Sequence, residues 1–387
     1  MALGIKRENE IIPKYSLTGD LISFLRCGLQ YRYHNGSSLP PSRPVQLWFG
    51  EFIHGVMESA YRIWRHNPIP FPWPVTPTQY RAAPPPDRLP HDIGTIGEIV
   101  EATLSAQGKN PRSAALRNSA YKRADKAVNE LGKHLFPLIE SAEERVIGTR
   151  DIPHNGKLTS RSRFYELHGI IDVLTNVQLT GVESSNVIRK AVQDVCSTTG
   201  DYEVIVDYKG TRRPAINDPY WQQGEWQVQT YSWLRTRQPG SKNIIAGVLI
   251  YINELAPGDS DIQKMQKERQ ENKTDVIPEN GSLDFYKLNA WRKGNAVPDF
   301  SVDFLFKRAI RVIPVSRESQ INATKEFDKV VLEIEKCVSA ERNAGTIINH
   351  WNPGGDEETC VACDFRYFCP SPAPRNRDYH VLAPSAP

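Results

Sequence analysis

No stretch of this 387-residue chain is apolar for long enough to cross a bilayer. The longest apolar run, Ile244 to Ile252, contains Gly247 and Tyr251 and has the length of a buried strand. The opening residues, MALGIKRENE, lack the apolar core of a signal peptide, so a cytoplasmic chain without membrane association is expected. No G-x-x-x-x-G-K-[ST] run is present, which removes the phosphate cradle of an ATP motor. No internal repeat is found. Neither sign of charge dominates: 48 Lys and Arg against 45 Asp and Glu leave +3. A field that weak does not name a partner, so any nucleic acid must be held by local patches. Cysteine is scarce, at six. In a reducing compartment even six thiols point to metal or redox chemistry before disulfides.

What is present is a globular balance, with 24% charged and 39% hydrophobic residues. Residues 16–33 read as a helix that Ser16 or Thr18 can cap, and residues 51–66 as a second. Residues 67–92 are dense in proline and read as an irregular surface excursion. Residues 112–142 read as helical, their Arg and Lys side chains being first of all a solvated face. The period then changes. Glu144–Ile152, Phe164–Thr175, Tyr202–Tyr208, Asn243–Asn253 and Val302–Val315 read as strands. Helices are expected over Pro219–Arg237 and, with Ser316 as a possible cap, over Ser316–Ala344. Segment 176–201 is polar and reads as an insertion, and 254–300, polar and broken by Pro and Gly, as a second insertion or an extended hairpin.

The sharpest local signal is Asp207-Tyr208-Lys209 at the end of the apolar Val204-Ile205-Val206. A strand sends alternate side chains to one face, so Asp207 and Lys209 share a site. A carboxylate there can hold a divalent cation, and the lysine can orient water or neutralise charge building on a phosphate. Alone, D-x-K is more often an ordinary surface pair. Asp172, inside Leu167–Val173, is a second carboxylate in apolar surroundings, costly to bury unless ligated or paired. Two facing carboxylates suit hard Mg²⁺ or Mn²⁺. His54 at the start of the second helix can add a nitrogen, although a single His is more often structural. Gln227 and Tyr231, four apart on a helix, can reach the same place or simply pack.

The second constellation is Cys360-x-x-Cys363 followed by Cys369, three thiols at metal-ligand spacing. Cys27, at the far end of the chain, can supply the fourth; His350 or Cys337 is the fallback. Loop-closure entropy grows only logarithmically with length, so such a long staple is tolerable. Four thiolates suit Zn²⁺ or an iron–sulfur cluster, and spacing does not decide between them.

The order of these motifs resembles the RecB-like branch of the PD-(D/E)XK nucleases. It looks closest to the iron–sulfur subgroup, which includes the CRISPR-associated adaptation exonucleases and the AddB nuclease domain. The resemblance rests on residues 16–60, 144–251 and 355–370. It implies an α/β restriction-endonuclease-like core, a mixed central sheet flanked by helices, with iron–sulfur-linked N- and C-terminal segments. The expected division is a helical segment with the first cluster cysteine (1–45), a helical region with the proline-rich insertion (46–143) and the nuclease core (144–252). An insertion (253–300), a strand and long helix completing the core (301–354), and the cysteine cluster with its tail (355–387) follow. The resemblance further implies that His54, Asp172, Asp207 and the Tyr208 backbone carbonyl hold Mg²⁺ or Mn²⁺. Lys209 would then be catalytic, with Gln227 and Tyr231 in support. Cys27, Cys360, Cys363 and Cys369 would bind a 4Fe–4S cluster, with Zn²⁺ as the alternative. Arg26, Arg366, Arg212 and Arg213 are the expected nucleic-acid contacts, and the expected substrate is DNA with single-stranded ends. The alternative is a catalytically silent DNA-binding scaffold on the same fold, serving a helicase, an integrase or a CRISPR-adaptation or defence complex. The complete set of His, two Asp and Lys argues against it, because a scaffold need not keep them.

Overall fold

The computed structural model describes residues 12–36, 45–76, 90–153, 160–347, 349–355 and 357–370, the last stretch without 362, 364, 367 and 368. Part of the proline-rich excursion and the tail beyond Pro370 lie outside the described residues. In chain order the elements are β1 (Lys14–Ser16), α1 (Gly28–Gly36), α2 (Val45–His66), α3 (Ile93–Ala106), α4 (Ala114–Lys126), β2 (Ile139–Asp151) and β3 (Phe164–Thr175). They continue with α5 (Val187–Val195), β4 (Tyr202–Lys209), α6 (Pro219–Arg235), β5 (Asn243–Tyr251), α7 (Asp259–Gln270) and α8 (Leu283–Ala290). The last are α9 (Val302–Ala309), β6 (Ile310–Pro314) and α10 (Arg317–Ala344). The chain is thus α/β with a mixed sheet. Among the described residues no helix is long and apolar enough to cross a membrane.

The chain folds into two compact units that interleave along the sequence. One comprises residues 1–42, 146–169 and 321–387; the other comprises 43–145 and 170–320. In the first, β1 runs parallel to the early part of β3, pairing Tyr15 with Leu167. Its interior carries charge. Tyr15 donates to Glu335, and Arg161 Nη2 lies 2.8 Å from the same carboxylate. Burial first, then the charge of Glu335, holds the Tyr15 hydroxyl far above its usual range.

In the second unit the strand order is β3-β4-β5-β6. β4 is buried along nearly its whole length, and β5 from Ile244 onward, which is why both read as continuous apolar runs rather than alternating ones. They are parallel, and a parallel pair needs a crossover, which α6 provides. Asp218 caps α6 by accepting from Tyr220 N, with Pro219 in the first turn. Helix α6 lies so close to β5 that a Cβ on Gly247 would sit 2.3 Å from Val228 Cγ1. Helix α2 buries Trp48, Phe52, Val56 and Ala60, four apart on one stripe, and leaves Glu51, His54 and Glu58 off it. A Cβ on Gly210, just past β4, would meet the Gly50 backbone at 2.9 Å. That glycine lets α2 lie against the end of the D-x-K strand.

Several elements differ from the sequence expectation. The first helix is broken at Cys27, whose φ of −163° is extended. Ser16 does not cap it; Asp20 instead accepts from Ser16 N and Oγ. Ser316 does cap α10, accepting from Ser319 N at 3.1 Å. The helical stretch ends near Pro137, and β2 starts at Ile139 rather than at Glu144. Val302–Val315 divides into α9 and β6, because Ser301 accepts from Phe304 N and starts a helix. A short apolar run fits either period, so the pattern could not decide there. The segment 254–300 is helical rather than an extended hairpin: α7 and α8, with Phe304 of α9, enclose a small core of Ile262, Met265, Leu288, Trp291, Phe300 and Phe304. Segment 176–201 contains α5, capped by Asn186.

Candidate metal centre

All the catalytic and metal candidates lie in the second unit. The β3–β4 register pairs Val173 with Val206, and continued one residue it sets Asp172 against Asp207. Asp172 Oδ2 accepts from Tyr208 N at 2.9 Å. His54 reaches in from α2: its Nε2 lies 2.9 Å from the Tyr208 carbonyl and its Nδ1 3.4 Å from Asp172 Oδ2. Asp207, 5% exposed, takes Gln227 Nε2 on Oδ1 at 2.8 Å. Its Oδ2 is 2.6 Å from Lys209 Nζ but outside hydrogen-bond geometry, leaving that buried oxygen without a hydrogen-bond partner. Lys209 Nζ also donates to Gln227 Oε1, so one glutamine clamps both members of the D-x-K pair. Tyr231 lies one turn beyond Gln227 and is buried.

Two participants were missed from the sequence. Tyr251 pairs with Lys209 across the β4–β5 ladder. Glu143 on β2 brings a carboxylate oxygen within 4.8 Å of ligand atoms of both His54 and Asp172. Its φ of 54° is a left-handed conformation that favours glycine. Glu143 is exposed, yet partial desolvation first, then Glu58, raises its carboxyl, while His54 and Arg62 pull it down. A strand signal from Ile139 was available, since Pro137 cannot continue a helix interior.

The donor set fits a hard divalent cation. A carbonyl can only accept, so the Nε2–carbonyl contact places the proton on Nε2 and the lone pair on Nδ1. In the neutral tautomer that lone pair faces the ionised Asp172 carboxylate at 3.4 Å. Lone pairs converging in this way are stabilised by a cation, and a neutral imidazole with carboxylates suits Mn²⁺ or Mg²⁺. Burial first, and the charge of Asp207 second, raise the Asp172 carboxyl to about 7, against the pull of His54, the Tyr208 N–H and Lys209. Burial would lower the Lys209 ammonium, but the charges of Asp207 and Asp172 outweigh it and the group is raised.

A pH dependence follows. With its folded value raised, Asp172 binds a proton in the folded chain that the unfolded chain has already released. In EDTA, stability should therefore fall as pH rises from about 4 to about 7 and then level off. Binding a cation needs the carboxylate, so Mn²⁺ affinity should climb over the same window and flatten above it. Melting curves at pH 5, 6, 7 and 8, with EDTA or with Mn²⁺, check both signs. A melting temperature in EDTA that rises between pH 5 and 7 would contradict the assignment.

The remaining candidates are placed differently. Arg212 forms a bidentate pair with Glu268, and Arg213, 3% exposed, pairs with Asp275 and donates to the Arg308 and Ile310 carbonyls. These guanidiniums tie the 253–300 segment to the core. Arg26, which is exposed, and Arg366 belong to the first unit. So do Cys27, Cys360, Cys363 and Cys369, while Cys196 lies in the second. Among the described residues the cysteines are scattered, and none joins a set of ligand atoms close enough to share one metal ion.

The central strand β4 of the mixed sheet thus presents Asp-x-Lys, with a second Asp and a His converging on it. The chain matches the PD-(D/E)XK nuclease superfamily over residues 19–370, and it belongs to that family. No curated protein matches it in sequence.

Proposed function

We propose that the chain is a metal-dependent DNA nuclease that hydrolyses phosphodiester bonds, acting as an exonuclease on single-stranded ends. The observation that carries this reading is the meeting of His54, Asp172 and the D-x-K pair within one unit. His54, Asp172 and Asp207 would hold Mg²⁺ or Mn²⁺, with the Tyr208 carbonyl beside them. Such a cation, when bound, supplies an activated water and neutralises charge on the phosphate. The chain's own residues do the rest. Gln227 fixes Asp207 and Lys209 relative to each other, so neither must reorganise during the reaction. Lys209 stays charged and is placed to orient the attacking water or to meet charge developing on phosphate oxygens. Single-stranded ends, and a helicase or integrase partner, rest on the resemblance to RecB-like chains.

The same reading gives the first unit a 4Fe–4S cluster on Cys27, Cys360, Cys363 and Cys369, with Zn²⁺ as the alternative. What supports it is the folding together of the two chain ends. Leu29 N, just past Cys27, donates to Asn352 O at 3.1 Å. The Tyr33 and His34 rings lie 4.8 and 5.1 Å from that of Phe365. Burial first, and then Cys369, raises the Tyr33 hydroxyl.

The test is cleavage of end-labelled single- and double-stranded DNA by anaerobically purified protein, with Mn²⁺ or EDTA, comparing wild type with Asp207→Ala. Metal-dependent degradation that the variant lacks is expected. Brown colour, with iron–thiolate absorbance near ~400 nm, would separate the iron cluster from colourless zinc in the same sample. A folded wild type that cleaves nothing would favour the scaffold reading.

A further inference from the structure

Glu143, which takes no part in the proposed function, brings a carboxylate oxygen within 4.8 Å of ligand atoms of both His54 and Asp172. Asp207 is not in the tight group of ligand atoms; its oxygens face Gln227 and Lys209. The third member of that group is Glu143. It comes from β2, a strand that supplies no other residue to the site. We propose that Glu143 is a ligand of the same divalent cation, opposite the D-x-K strand, so that the ion sits between His54 Nδ1, Asp172 and Glu143. This rests on the nuclease reading and adds a residue to it.

Three features carry the proposal. The first is distance: one ligand atom from each of His54, Glu143 and Asp172 lies within 4.8 Å of the other two, so a single ion can touch all three. The second is proton bookkeeping. With Nε2 2.9 Å from the Tyr208 carbonyl, which can only accept, the neutral imidazole turns its Nδ1 lone pair toward Asp172 Oδ2, 3.4 Å away. The Tyr208 carbonyl then acts as the outer partner that fixes the orientation of a metal-binding histidine. The third is partnering. The neighbouring Glu58 forms an ion pair with Arg62, whereas among the described residues the Glu143 carboxylate has no hydrogen-bond or ion-pair partner. Carboxylates and a neutral imidazole are the donor types a hard divalent cation takes, and such a cation would supply an activated water and neutralise phosphate charge.

The experiment is calorimetric titration of Mn²⁺ into the full chain stripped of metal, as wild type, E143Q, E143G, E58Q and D172N. E143Q keeps shape and removes charge. E143G keeps the left-handed backbone, which glycine adopts freely, and so remains informative if glutamine disturbs folding. Both should weaken Mn²⁺ binding about 10-fold or more, E58Q should stay within about twofold, and D172N should weaken binding at least as much as E143Q. If E143Q and E143G bind like wild type while D172N does not, Glu143 is no ligand and the metal centre stands without it. If E58Q loses as much as E143Q, the effect is general negative charge and the ligand assignment fails. A wild type that binds no Mn²⁺ overturns the metal centre itself.

Discussion

Lys209→Ala is expected to slow metal-dependent DNA cleavage by about 10²–10³-fold, the usual loss when one preorganised charge stabiliser is removed from a reaction centre. The same substitution should not weaken Mn²⁺ binding. The ammonium sits 2.6 Å from Asp207 Oδ2 and competes with a cation for that carboxylate. Removing it frees the oxygen, so affinity should hold or tighten while the rate collapses. That split distinguishes a group acting on the reacting phosphate from one that only holds the site in shape, whose loss would lower both together. Lys209→Gln makes the sharper control: an amide can still donate to Gln227 but carries no charge. Single-turnover cleavage of end-labelled DNA, read beside a Mn²⁺ titration of each variant, checks the claim. Cleavage by Lys209→Ala within about threefold of wild type would remove this residue from the chemical step.

The parts of this site visible in the sequence are those that local periodicity controls. Asp207 and Lys209 share a face because strand geometry requires it, and the apolar run before them marks the strand. Asp172 stood out as a charge inside an apolar stretch, and the β3–β4 pairing brings it to the Tyr208 N–H. Glu143 was hidden because its position depends on where a helix gives way to β2. Pro137 and the tight turn Phe136–Leu138 set that point, five residues ahead of the expected strand start at Glu144. The partners of Arg212 and Arg213 were hidden for a different reason. Charge can be read along a sequence, but its neutralisation cannot: the partners Glu268 and Asp275 lie 56 and 62 residues further on. The segment that carries both partners folds on its own small core, whose apolar residues are too widely spaced to form a continuous periodic segment.

That tie makes the second large effect one of stability. Arg308→Ala is expected to cost about 3–5 kcal/mol, the loss typical of removing one partner of a buried ion pair. Arg308 and Glu254 are each 1% exposed. Arg308 donates from Nε and Nη2 to the two Glu254 oxygens at 3.0 and 2.9 Å, and from Nη1 to Thr274 Oγ1 at 2.7 Å. Glu254 also accepts from Arg213 N, three residues after Gly210. Truncating the arginine leaves a carboxylate away from water with only a backbone N–H to meet it. Replacing both charges together, as Arg308→Met with Glu254→Gln, removes the charge but keeps an acceptor for Arg213 N. The double variant should therefore be more stable than Arg308→Ala, even though it alters more atoms. Urea unfolding of the three proteins decides the matter. A cost for Arg308→Ala below about 1 kcal/mol would mean that water reaches the pair, since exposed ion pairs contribute no more than that. Because this pair lies behind the loop that follows Lys209, the variant should also broaden the D-x-K geometry and lose cleavage at temperatures where most of the chain is still folded.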